Sequence, residues 1–253
     1  TKKSGKKGKI TDLLDIAVIN LPSISNQTDF SPLNAEEDVV LRYVDSKNSL
    51  GFPDAIIIPG SKNTTGDLYF LRESGLEGRI AELNARGVPV VGICGGFQML
   101  GRELHDPEGI ENRDIRVAEG LGLLPVSTIF TPAKITRRVK ARVSSHASWG
   151  ACANLELDGY EVRHGKSKIP ADAPCISIIA PPGVEEELIG ASSVDLPVWG
   201  TYLHDIFHND LFRQRWLNML RKRAGLRPLA EEGGLEIQKH REQSYDNLAA
   251  LLR

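Results

Sequence analysis

The sequence is poor in cysteine, with only Cys94, Cys152 and Cys175 among 253 residues. An odd number at wide spacing excludes a disulfide framework and offers no structural zinc pattern. A reducing, cytoplasmic setting is expected. Long apolar runs are also missing. None approaches the ~18 residues of a membrane span, and no apolar stretch follows the basic start as a signal peptide requires. Nor is there an excess of one charge. Thirty-one Lys and Arg against 33 Asp and Glu leave a formal charge of −2, which gives no electrostatic case for nucleic acid.

The first nine residues depart from this balance, with five lysines and no acid. They read as a solvated linker or tail, with a phosphate-binding tail as the alternative. The chain begins with Thr, so it is expected to be a piece of a longer polypeptide or a processed product. Residues 1–14 are therefore assigned to a lysine-rich linker or tail, and 15–253 to the folded unit. That length suits one large α/β domain or two small ones.

Short apolar runs at 15–20, 39–44, 55–58 and 88–93 predict buried strands. Between them, Leu76, Ile80 and Leu83 define a helical face over 75–86. Phe97, Leu100 and Leu104 predict a second helix that ends near His105. Strands alternating with helices imply βαβ units and a mostly parallel sheet. Strand-like stretches near 121–126, 135–143, 155–163, 174–179 and 184–190 suggest an antiparallel portion. A further strand at 198–203 precedes two closing helices, at about 208–224 and 234–252.

One segment carries chemistry: Gly92-Ile93-Cys94-Gly95-Gly96-Phe97-Gln98. It puts a cysteine at a strand-to-helix turn, at the carboxyl end of a strand, where open α/β sheets bind ligands. A helix N-terminus beside the sulfur favours thiolate. The two glycines let backbone N–H groups face a developing oxyanion. The pattern matches a nucleophile elbow with sulfur in place of oxygen. A buried structural cysteine beside a glycine turn is the bland alternative.

A thiolate nucleophile needs a base. His204 follows an apolar run and is expected on the same rim as Cys94. His105 is expected at a helix end. His208 and His240 fall in helical patterns and are expected in solvent. His204 and His208, near Asp205 and Asp210, form too weak a set for a metal, and none is expected. A second loop, Pro59-Gly60-Ser61-Lys62-Asn63-Thr64, also follows a strand. It is either a plain turn or a second oxyanion donor. It lacks the Walker pattern for phosphate.

The nucleophile segment resembles that of class I (triad-type) glutamine amidotransferases. Four further segments narrow the resemblance to the amidotransferase domain of the cobyric acid synthase family. They are Leu21-Pro22-Ser23-Ile24-Ser25-Asn26-Gln27-Thr28-Asp29-Phe30, Ile58-Pro59-Gly60-Ser61-Lys62-Asn63-Thr64, Gly159-Tyr160-Glu161-Val162-Arg163-His164-Gly165 and Gly200-Thr201-Tyr202-Leu203-His204. The resemblance implies a flavodoxin-like class I amidotransferase fold over 15–253 and hydrolysis of glutamine. It makes Cys94 the nucleophile and His204 the general base. Gly60, Ser61 and Gly95 become oxyanion or substrate-binding positions, Gln98 holds glutamine, and His164 lines the site.

It also implies an ATP-dependent synthetase domain, N-terminal in the full-length chain and absent from this one. That domain would bind ATP and Mg and amidate adenosylcobyrinic acid a,c-diamide; this domain would need no cofactor. Ile206 stands where many relatives of the class carry a glutamate that orients the histidine. Asp205, on a continuing strand, would point to the opposite face. The residues therefore imply a dyad with an unidentified orienter. Competing readings are a glutaminase subunit for peptidoglycan or cobyrinate a,c-diamide synthesis, a thiol hydrolase or peptidase, and a non-catalytic docking domain.

Overall fold

Runs of apolar side chains with no polar face can only be stable when covered on both sides, and four such runs build the middle of this molecule. The computed structural model describes residues 12–144, 150–170, 173–179 and 186–231. The first strands are β1 (Leu14–Ile19), β2 (Ile24–Ser25), β3 (Val39–Val44), β4 (Ala55–Ile58), β5 (Gly60–Ser61) and β6 (Val90–Ile93). Then come β7 (Glu103–His105), β8 (Val117–Glu119), β9 (Ser127–Val143), β10 (Glu156–Lys168), β11 (Pro174–Ile178), β12 (Leu188–Ser192) and β13 (Val198–Thr201). The helices are α1 (Ser31–Asn34), α2 (Lys47–Leu50), α3 (Thr64–Glu73), α4 (Leu76–Ala85), α5 (Gly95–Leu100) and α6 (Asp210–Ala224).

Strands β3-β1-β4-β6-β13 pair in that order, all parallel. Renumbered among themselves they run 2-1-3-4-5, the flavodoxin-like order. Beyond β13 the pairing turns antiparallel through β12, β11 and β9. The α/β sheet with a flavodoxin-like parallel half and an antiparallel portion is thus as the sequence implies. Ile56, Ile57 and Ile58 of β4, and Val90, Val91 and Ile93 of β6, are fully buried.

Several boundaries differ from expectation. β1 begins at Leu14, which is buried and pairs with Val39, so the strand reaches one residue into the assigned linker. The helix after Cys94 stops at Leu100. The backbone N–H of Arg102 then bonds to the Val126 carbonyl, which draws Leu104 and His105 into β7 beside β9. His105 is therefore a strand residue, with Nε2 3.0 Å from Glu103.

Residues 121–126 form no strand. Their N–H groups serve the end of α5 instead: Leu121 donates to Met99, and Leu123 and Leu124 donate to Leu100. β9 and β10 are much longer than their apolar cores and pair as one antiparallel ribbon. His208 lies in a 3-10 turn (Ile206–His208), its side chain largely buried with Nδ1 3.3 Å from Asp205. Most of the lysine-rich start, the helix expected at 234–252, and His146 and His240 lie outside the described residues.

The tightest packing lies where α5 leaves β6. A Cβ on Gly96 would overlap the Ile58 carbonyl oxygen, so only glycine lets this turn lie against the end of β4. Gly96→Ala should destabilise by about 1–3 kcal/mol in urea unfolding. Gly78, in α4 with open space around it, is the matched control. Gly78→Ala should leave stability unchanged or raise it by up to ~1 kcal/mol.

Candidate active site

Parallel pairing brings the two sequence-selected residues together. Thr201 of β13 lies in register with Ile93 of β6, so Cys94 and the 202–204 segment leave adjacent strands at the same rim. The Cys94 N–H bonds to the Thr201 carbonyl at 2.8 Å. Cys94 has φ 50° and ψ −106°, a backbone conformation costly for any residue but glycine. Such strain is what an elbow needs to lift its side chain clear of both strand and helix.

His204 is 1% exposed, and its ring interacts electrostatically with Cys94. Its Nδ1 lies 2.7 Å from Oδ2 of Asp29, itself 1% exposed. Oδ1 of the same carboxylate accepts the Asp205 N–H at 3.1 Å. Asp29 is thus the orienter, and the dyad expected from the residues becomes Cys94–His204–Asp29. Asp205 does not continue the strand. It has φ 61° and opens the 3-10 turn. Asp29 sits in the segment after β1 already singled out as Leu21–Phe30, but nothing in its local spacing tied it to a histidine 175 residues away.

The imidazole is fixed from several sides. The Tyr160 ring stacks on it at 4.9 Å and 15°, and the backbone N–H of His204 bonds to the Tyr160 carbonyl at 2.9 Å. The Asn26 amide lies 3.1 and 3.3 Å from the two ring nitrogens. Burial by itself would lower the His204 pKa. The hydrogen bonds to Asp29 and Cys94, and the charges of Cys94 and Asp29, outweigh it and push it up to about 10. Burial pushes the Tyr160 phenol up, with Asp29, Asp205 and Cys94 adding to the shift.

Gly60 and Ser61 form β5, paired with β2, and close one side of the site. A Cβ on Gly95 would stand 2.9 Å from the Ser61 nitrogen, and one on Gly60 would stand 3.6 Å from the His204 ring. The predicted oxyanion positions therefore do converge on Cys94 and His204. The Ser61 hydroxyl faces elsewhere. It donates to Asp67 at 2.6 Å and accepts the Asn63 N–H, so it holds the loop rather than a substrate.

Gln98 is likewise engaged within the protein. It is buried, and its amide nitrogen donates to Tyr202 Oη (3.1 Å) and the His164 carbonyl (3.0 Å), while its oxygen accepts from Thr64 Oγ1 (3.3 Å). With donor and acceptor both engaged by the protein, it braces the wall behind the nucleophile instead of presenting a free amide. The His164 side chain has Nδ1 3.4 Å from the Thr131 carbonyl. Its charge acts on Glu111, a residue that the sequence reading missed and that accepts the Thr64 N–H at 2.6 Å.

Glu111 is carried in by a loop tied to Asp106, whose carboxylate accepts the N–H groups of Ile110, Glu111 and Asn112. Burial raises the Glu111 carboxyl above its ordinary range, opposed by the Thr64 N–H and hydroxyl and by His164. Over all this lies β10. The Val162 carbonyl is 3.4 Å from the Cys94 sulfur, and the Cys94 residue is only 8% exposed. Among the described residues no cluster of three or more His, Cys, Asp or Glu forms a metal site.

The His204 shift has a consequence for stability. A histidine whose folded pKa lies above its unfolded value of about 6.5 stabilises fully below that value. The contribution is lost as pH rises through about 10. Urea midpoints should fall across that window, and His204→Gln should flatten the fall. An equal decline in both proteins would show that the pair carries none of it.

The family profile for CobB/CobQ-like glutamine amidotransferase domains matches residues 15–212. The cobyric acid synthase of Moorella thermoacetica is 44% identical over 238 residues, which cover 93% of this chain and 46% of that protein. That of Yersinia enterocolitica is 42% identical over 246 residues, 95% and 47% respectively. The chain spans about half the length of the curated relatives it matches. Among solved structures, PurLQS from Thermotoga maritima shares the fold with TM-score 0.61 at 19% identity, covering 82% of this chain and 99% of that one. A glutamine amidotransferase from the same organism gives TM-score 0.50 at 14% identity, with 93% and 94% covered. Both the profile match and the flavodoxin-like sheet with its cysteine elbow lead to one assignment: the chain belongs to the CobB/CobQ-like glutamine amidotransferase domain family.

Proposed function

We propose that this chain hydrolyses glutamine through a thioester on Cys94 and passes the ammonia to an ATP-dependent synthetase that amidates a corrinoid. The observation that carries the chemistry is the buried Cys94–His204–Asp29 array at a strained elbow. The corrinoid reading is supported by the relatives named cobyric acid synthase, of which this chain matches less than half. ATP and Mg belong to the synthetase, and the steps here use only this chain's residues.

The Cys94 thiolate attacks the side-chain carbonyl carbon of glutamine. The oxyanion forms beside the N–H groups of Gly95 and of Gly60 or Ser61; one such donor is typically worth about 3–4 kcal/mol. The protonated His204 gives its proton to the departing nitrogen, and ammonia leaves as the C–N bond breaks. Neutral His204 then takes a proton from water, which attacks the thioester and releases glutamate and the thiolate. Asp29 keeps the ring oriented and balances its charge. Glu111, held by the Thr64 N–H, receives the substrate's α-ammonium. β10 shields the intermediate from bulk water.

Cys94→Ala should abolish glutamate release while circular dichroism stays that of the wild type. His204→Ala should slow it on the order of 10²-fold or more. Glutamine hydrolysis by Cys94→Ala at the wild-type rate would sink the assignment, and peptide cleavage by the wild type would favour a peptidase. Glu111→Gln should raise KM for glutamine about tenfold, with a smaller change in kcat. A fall in kcat at constant KM would place Glu111 in the chemistry instead.

A further inference from the structure

One buried carboxylate beside the site has no part in the chemistry described so far. Asp67 lies in the first turn of α3 and is 1% exposed, and no Lys, Arg or His among the described residues pairs with it. A carboxylate so placed is costly unless hydrogen bonds hold it. Oδ2 accepts the Ser61 hydroxyl at 2.6 Å, and Oδ1 accepts the Ser23 N–H at 3.1 Å. Burial raises the Asp67 carboxyl above its ordinary range, and the bonds from Ser61 and Ser23 oppose the rise.

Those two bonds reach both members of one small ribbon. β2 and β5 pair over two residues each, too few to hold a geometry alone. The Lys62 N–H adds a bond to the Ser23 carbonyl at 2.9 Å. Asp67 then spans the ribbon from a fixed base. Its own N–H bonds to the Asn63 carbonyl, and the Asn63 side chain caps α3 through the Gly66 N–H. The Ser61 hydroxyl also accepts the Asn63 N–H at 2.9 Å, so donor and acceptor together set the Ser61 side chain.

The ribbon decides which backbone group meets the nucleophile turn. Hydrogen bonds alternate along an antiparallel pair. Lys62 bonds to Ser23, so Ser61, one residue earlier, turns its N–H away from β2. Gly95 lies on that side: the Ser61 nitrogen is 2.9 Å from where a Gly95 Cβ would stand. Ser61 rather than Gly60 therefore directs its N–H toward the turn that carries Cys94. The side chain of the same residue is the one that Asp67 holds.

We propose that Asp67 is a positioning residue for acyl transfer at Cys94: through the Ser61 hydroxyl it aims the Ser61 N–H at the developing oxyanion. This rests on the proposed thioester chemistry, which names the reaction served. The Asp29–His204 pair has bonds of its own, with the second Asp29 oxygen taken by the Asp205 N–H. Activation of the thiol is thus separate from the Asp67 contact. Asp67 matters to steps that build an oxyanion and not to those that only need the thiolate.

The test compares two reactions of Cys94 in the same chain. With p-nitrophenyl acetate the thiolate attacks the acetyl carbon, an oxyanion forms, and p-nitrophenolate leaves. With iodoacetamide the thiolate displaces iodide directly, and no oxyanion forms. Asp67→Asn and Ser61→Ala should each slow acylation, and the kcat of glutamine hydrolysis, by about tenfold or more, with KM within about threefold. Alkylation should stay within about twofold of the wild-type rate. The double variant should be no slower than the slower single one, because both changes remove one contact. Where circular dichroism or the urea midpoint of Asp67→Asn departs from the wild type, Ser61→Ala decides alone. Unchanged acylation and kcat, a rise in KM alone, losses that multiply in the double variant, or alkylation slowed as much as acylation would each overturn the proposal. A wild type that shows the contrast but hydrolyses no glutamine rejects the glutaminase reading and leaves the Asp67 role standing. One that hydrolyses glutamine without the contrast rejects the Asp67 role alone.

Discussion

The parallel register between β6 and β13 is the constraint on which the site depends. Side chains that leave two neighbouring parallel strands at matched positions emerge together at one rim. Here the match of Ile93 with Thr201 delivers Cys94 and His204 to the same place. A shift of that register by one residue would turn every side chain of the strand to the other face. The fully buried runs of both strands make such a shift prohibitive. The same apolar run that drives folding therefore also positions the chemistry.

Within that frame, the Asp29–His204 pair is placed where charge is expensive. Both groups are almost wholly buried, and a buried ion pair is tolerable only when its remaining hydrogen bonds are satisfied. The Asp205 N–H serves the second oxygen of Asp29, and the Asn26 side chain lies beside the ring nitrogens. The arrangement favours the charged ring over the neutral one, which suits the proton donation proposed for it. The glycines on the facing loops have a different task. They remove bulk, so that the β5 loop and the start of α5 approach to within backbone contact.

Much of this could be read from the sequence because it is local. Unbroken apolar runs marked β1, β4 and β6. The glycines around Cys94 marked the elbow, and the apolar run before His204 marked its rim. What could not be read is non-local or depends on competition between structures. Asp29 meets His204 across 175 residues, and no local period encodes that distance. The spacing of Phe97, Leu100 and Leu104 fits a helix as well as it fits the observed helix followed by a strand. Only the bond from Arg102 to Val126 decides between them. The leucines at 121–124 look like a strand, yet their N–H groups are needed at the end of α5. The polar half of β9 had no period because the ribbon exposes both faces there.

The span between Asp29 and His204 also bears on how the chain is made. Ribosomes release the amino-terminal portion of a protein first, and contacts between distant segments form late. The thiol and both glycine loops emerge well before the imidazole does. Until β13 inserts beside β6, Cys94 has neither its base nor the carbonyl of Thr201 to fix its turn. A nascent or truncated chain that stops short of that strand therefore holds Cys94 without its His204 and Thr201 neighbours. For the proposed reaction, completion of the sheet is then the licence for turnover.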